Sequence, residues 1–86
     1  MNAVNNDLLT ALTAIRTAIE FPDVETLAKA EAKVKALPES DDRASAIFAL
    51  DRGIVNADNR DWETAKNYAI SALLCILRSD RAVIPA

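Results

Sequence analysis

Glycine occurs once in this 86-residue chain and proline three times. That scarcity limits the fold more than any other feature, because tight turns draw on glycine for positive φ and on proline for a preset φ. A sandwich or barrel needs many such turns, and a phosphate-binding loop needs clustered glycines, so both are disfavoured before any periodicity is read. Alanine fills seventeen positions and aromatic residues only four, Phe21, Phe48, Trp62 and Tyr68. Alanine loses no side-chain entropy in a helix, so this mixture favours an all-α chain. The length suits one domain, residues 1–86, with a thin core.

Four helices are predicted, at about 3–20, 24–37, 41–57 and 61–79. In the first, Val4, Leu8, Leu12, Ile15 and Ile19 recur at steps of four and three and share one side. Phe21-Pro22-Asp23 ends it: Pro22 disfavours helical geometry at Phe21, and Asp23 caps the next helix. The second carries Val24, Leu27, Val34 and Leu37 as its apolar line, with Ala28 and Ala30 beside it. Glu25 to Lys29 and Glu31 to Lys35 are i,i+4 pairs in the favourable order. Leu37-Pro38 stops this helix, and Ser40 caps the third, with Asp41 and Asp42 complementing the dipole of its first turn.

The third helix is expected to turn Ala44, Ile47, Phe48, Leu50, Ile54 and Val55 inward. Gly53 interrupts it at a cost of about 1 kcal/mol relative to alanine, which points to a close approach of a neighbouring helix there. Asn59 is the expected left-handed position after this helix, and Asp61 the cap of the next. In the fourth helix Trp62, Ala65, Ala69, Ala72, Leu73 and Ile76 form one stripe. Ile70, Leu74 and Leu77 form another on an adjoining face, so this helix is expected to be covered on more than one side. Glu63, Lys66, Asn67, Ser71 and Arg78 leave it a narrow polar edge. Short connections make sequence neighbours antiparallel, giving two stacked αα-hairpins, a small helical bundle.

Residues 46–79 resemble one tetratricopeptide-type repeat. Gly53 stands at its first-helix glycine, Asp61-Trp62 where an acidic residue and an aromatic open the second helix, Ala65 and Ala72 at its packing alanines, and Leu73 follows. The pattern is departed from at Ala49, Arg52, Asn56 and Ala69, where larger aromatic or aliphatic residues are usual, and the first half of the chain matches barely at all. The resemblance implies a tightly packed helical hairpin over residues 46–79, and the expected stack of two hairpins has a concave side where a partner helix can lie.

Little chemistry is available to a chain without histidine and with the single cysteine Cys75. Imidazole acid–base catalysis and Cys/His zinc sites are excluded, and no intramolecular disulfide can form. Asp58, Asp61 and Glu63 lack the order of donors and glycine that a calcium loop requires, and read as capping and solvated residues. Asp41 and Asp42, adjacent on a helix, point about 100° apart and cannot converge on one bond. Cys75 lies in the most apolar stretch and reads as core. No cofactor, metal or catalytic motif emerges. The net charge of -3 and the scattered bases argue against nucleic acid. Lys29, Lys33 and Lys35 are interleaved with Glu25 and Glu31 and read as a solvated face. The longest nearly apolar stretch, residues 68–77, is about half of what a membrane span needs. The opening residues do not resemble a secretory signal, so a reducing cytoplasm is the expected location.

The expected function is therefore non-enzymatic: a protein–protein interaction domain that serves as adaptor, chaperone-like holder or inhibitor. It would bind a protein partner or a second copy, as a homodimer, through the apolar side of the fourth helix and the C-terminal tail. The candidate contacts are Trp62, Ile70, Leu74 and Leu77, the rim charges Arg78 and Arg81, and Val83 and Ile84 of the tail. An alternative is a small-ligand binder with an interior cavity beside Ala65, Ala69 and Ala72.

Overall fold

A computed structural model describes the backbone of residues 3–83 and the side chains of residues 6–79. It contains four helices, α1 (Ala3–Glu20), α2 (Val24–Lys35), α3 (Asp41–Asp58) and α4 (Trp62–Val83), and no strand among the described residues. Each helix packs on its neighbour in sequence, and α1 also packs on α4, so the four close into a ring around one core. The α3–α4 seam is the most extensive.

The predicted caps form. The Asp23 carboxylate accepts from the Thr26 amide at 2.8 Å, Ser40 Oγ from the Arg43 amide at 3.0 Å, and Asp61 from the Thr64 amide at 3.2 Å. Thr26 also donates its hydroxyl to the Phe21 carbonyl, fastening the α1–α2 turn. Helix α2 stops at Lys35, two residues short of expectation. Its Ala36 and Leu37 amides bond instead to the Lys33 and Val34 carbonyls, the tighter last turn that precedes Pro38. The Arg43 guanidinium donates to the Lys35 carbonyl at 3.0 Å and ties that end to α3. Helix α3 runs one residue further than predicted. Helix α4 begins one residue later and continues to Val83, since neither glycine nor proline interrupts residues 79–83.

The extra residue of α3 moves the left-handed position. Asn59 has φ -88° and ψ 8°, and Arg60 takes φ 62°. The Arg60 amide donates to the Ala57 carbonyl and the Asp61 amide to the Asn56 carbonyl, at 2.9 and 2.8 Å. This is the paired bonding that closes a helix when the residue beyond its cap is left-handed.

Among the described residues nine of the fourteen buried apolar side chains are alanine, so the helices meet over small side chains, with Ile15, Leu27, Val34, Leu50 and Ile76 filling the space between. Helix α1 buries Ala11, Ile15 and Ala18, with Leu8, Leu12 and Ile19 half-buried; Val4, the first of its predicted line, lies outside the described side chains. Helix α2 buries Leu27, Ala30 and Val34, while Val24 is largely exposed.

Helix α3 departs most from expectation. Its buried face is Ala46, Ala49, Leu50, Gly53 and Ala57, whereas Phe48 and Val55 are 64% and 54% exposed. Seven residues apart, these two share a face, and that face is turned away from the small-residue ridge that lets α3 and α4 meet closely. The expected close approach at Gly53 is present. A methyl group there would lie 3.4 Å from Leu27 Cδ2, 3.4 Å from Tyr68 Cβ and 3.5 Å from the Ala65 carbonyl oxygen.

Two consequences are measurable. Gly53→Ala fits at van der Waals contact and gains helix propensity, so it should shift stability in urea by less than about 1 kcal/mol. Gly53→Val should cost about 1–3 kcal/mol by overpacking. Arg60→Gly relieves the left-handed position and should stabilise the fold by roughly 1 kcal/mol. In a thermal melt that appears as a midpoint higher by about 4–8 °C.

Candidate functional site

The face expected to bind a partner is built by the angular spacing of α4. Ala65, Ala69, Ala72 and Ile76 face the core and are fully or almost fully buried. Leu74, nearly opposite, is 60% exposed, and Leu77 beside it is 38% exposed. Ile70 is half-buried on the same outer side, which it shares with exposed Asn67, Ser71 and Arg78. The three large apolar residues and the polar edge are therefore one outward surface. Trp62 opens the helix and is 48% exposed.

Arg78, expected as a free rim charge, is engaged. Its Nε donates to Asp42 Oδ1 at 3.0 Å, an α3–α4 ion pair that marks the α3-facing edge of this surface. Tyr68, packed near Gly53 of α3, lies on that same side. Leu73, half-buried against the core, lies on the opposite flank of α4, with Ile70 and Leu77 beside it around the helix. The side chains of Arg81 and Val83, and Ile84 with the rest of the tail, lie outside the described residues. Cys75 is half-buried against the core rather than enclosed by it, 3.8 Å from an Arg78 nitrogen.

The small-ligand alternative finds no support at its predicted position. Ala65, Ala69 and Ala72 have no exposure, and the nearest backbone of α3 closes over Ala65 at Gly53. Two open depressions, of about 490 and 430 Å³, lie instead on the outer side of α1 and between α1 and α2. Asp61 is occupied as the α4 cap, and among the described residues no three acidic or cysteine side chains converge as metal ligands.

One electrostatic feature escaped the sequence pattern. Glu31 forms its expected pair with Lys35, at 3.9 Å, but sits between α2 and α3 with its side chain only 13% exposed. Burial chiefly, then the neighbouring Asp51 carboxyl as hydrogen-bond partner and like charge, pushes Glu31 up to about 7, against the opposing pull of Lys35. The only sequence signal was that position 31 follows the buried Leu27 and Ala30 around the helix. Asp51, twenty residues away, becomes a neighbour only through the α2–α3 contact.

Comparison with protein-family models, with curated proteins and with solved structures gave no match for this chain.

The Glu31 environment sets a pH dependence. A carboxyl raised in the folded state stabilises fully below its ordinary value of 4.5, and that contribution is lost as pH rises through about 7. The difference in stability between the parent chain and Glu31→Gln should therefore swing toward the variant between pH 5 and pH 8, measured by urea unfolding at each pH.

Proposed function

We propose that this chain is a non-enzymatic protein–protein interaction domain, binding a partner protein or a second copy of itself through the outer face of α4 and the C-terminal tail. The observation that carries the reading is the exposure of Leu74 and Leu77 on a helix whose inner face is already fully packed. Burying a leucine stabilises a complex by roughly 1.5–3 kcal/mol when it starts fully exposed; Leu74 and Leu77, 60% and 38% exposed, retain part of that gain, and with the flank of Ile70 they supply a core for an interface. Trp62, half exposed at the start of the helix, offers an aromatic anchor at one end of the face. Arg78, held by Asp42, is pre-oriented at the edge, where a fixed charge favours one docking register. The resemblance of residues 46–79 to a tetratricopeptide-type hairpin agrees with a scaffold that presents helices to a partner.

The chain has no histidine, and its lone thiol is half-buried, which supports a binding rather than a catalytic role. No helix among the described residues is long and apolar enough to cross a membrane. A chain with one unpaired cysteine suits a reducing cytoplasm, and the acidic balance suits a protein partner better than nucleic acid.

Leu74→Glu tests the reading. Because the side chain projects outward, the thermal midpoint should change little, while a self-assembly seen by light scattering, or capture of a partner by the tagged protein, should fall at least tenfold. A variant that unfolds places Leu74 in the core. An unfolded variant, or unchanged association, counts against the proposed face.

A further inference from the structure

The sequence pattern set aside a second face, and it has the more definite shape. Between α1 and α2 a depression of about 430 Å³ is lined by Ala14, Thr17, Thr26, Lys29, Ala32 and Lys33. It meets a second, of about 490 Å³, at Ala14, where Asn6, Leu9, Thr10 and Thr13 carry the trough along α1. From Asn6 to Thr17 the trough runs about 16 Å at 1.5 Å per residue, the length of three helical turns.

We infer that this trough docks an amphipathic helix of a partner protein, with acidic residues flanking the helix's apolar stripe. Three observations on this face support that occupant. The first is the apolar character of the floor despite its threonines. Thr10 and Thr17 donate their hydroxyls to the carbonyls of Asn6 and Thr13, at 2.8 and 3.0 Å, and Thr26 donates to Phe21. With three of the four threonine hydroxyls already bonded to backbone, the groove offers an incoming chain mainly methyl groups, together with Ala14 and Ala32, and keeps Asn6 and Thr13 as its polar points. The second is Leu9 at one end, 65% exposed, a large apolar contact beside a small-residue floor. The third is charge. In a chain with a net charge of -3, the lining of both depressions holds two lysines and no carboxylate.

Lys33 makes no ion pair among the described residues, and Lys29 makes a solvent-exposed one with Glu25 at 3.3 Å that a competing carboxylate can replace. The open outer side of the trough favours a helix over a small molecule. A small ligand gains affinity when most of its surface is enclosed, and this groove is open along its outer side. It also favours a helix over nucleic acid, which would meet two lysines, no aromatic platform and a methyl floor it has no means to desolvate. This face lies on α1 and α2 and is separate from the α4 surface, so either can stand without the other.

The test is a titration of the ¹⁵N-labelled chain with a synthetic peptide of about 14 residues, helical, with a leucine–alanine stripe and flanking glutamates. Amide shifts should concentrate at residues 9–17 and 26–33, and a sister peptide with lysines in place of the glutamates should bind at least tenfold more weakly. Lys29→Glu combined with Lys33→Glu should weaken the glutamate peptide at least tenfold, and Ala32→Trp should block it. These positions are exposed, and the spectrum of each variant reports that it is folded. The proposal is overturned by the absence of shifts at about 1 mM peptide, by equal binding of the two peptides, or by shifts centred on residues 70–77. It is equally overturned by a stronger response of the same face to a thymidine dodecamer or to laurate.

Discussion

The closeness with which α3 lies on α4 governs the rest of this molecule. Gly53 has just room enough for a methyl group before Leu27, Tyr68 and the Ala65 carbonyl are reached. Around that point both helices contribute ridges of alanine, Ala46, Ala49 and Ala57 on one side and Ala65, Ala69 and Ala72 on the other. Small ridges let backbones approach and bring many weak dispersion contacts into range, which substitutes for the bulk of a large aliphatic core. With five large side chains fully enclosed among the described residues, an 86-residue chain relies on such close approach to exclude water from its interior.

That choice of seam has a geometric cost. A helix has a fixed 100° between successive residues, so turning the small ridge of α3 inward turns Phe48 and Val55 outward. The Arg52 guanidinium, 5.8 Å from the Phe48 ring centroid, covers part of the aromatic surface without burying it. The same constraint operates on α4, where seating Ala65, Ala69, Ala72 and Ile76 leaves Leu74 in solvent. Exposed apolar residues here follow from which ridge is buried.

The two proposed faces differ in physical character. The outer side of α4 carries exposed Leu74, partly exposed Leu77 and an arginine paired with Asp42. The α1–α2 side is concave, with methyl groups on its floor and lysines on its rim. A protruding face would insert its side chains into a partner and a trough would receive them, so the two proposals call for occupants of different shape. The α2–α3 contact carries a strongly perturbed carboxyl, Glu31, and so links the packing of α2 to pH.

The four helices were legible in the sequence because their determinants are local. Asp23, Ser40 and Asp61 cap amides three residues away, Pro22 and Pro38 act on their neighbours, and a period of 3.6 requires no knowledge of the fold. The outward placement of Leu74 was not legible, nor was that of Phe48 and Val55. Both helices carry apolar residues around much of their circumference, and periodicity then names several candidate inner faces without ranking them. The ranking comes from the partner helix: Gly53 meets Ala65 only when α3 and α4 are side by side. The Glu31–Asp51 pair and the α1–α2 trough likewise join residues distant in sequence. Sequence alone determined where each helix starts, to within one residue, through capping within a turn, whereas the ends of α2, α3 and α4 moved by one to four residues. Tertiary structure alone decided which side of each helix meets water, because that depends on how closely two ridges can approach.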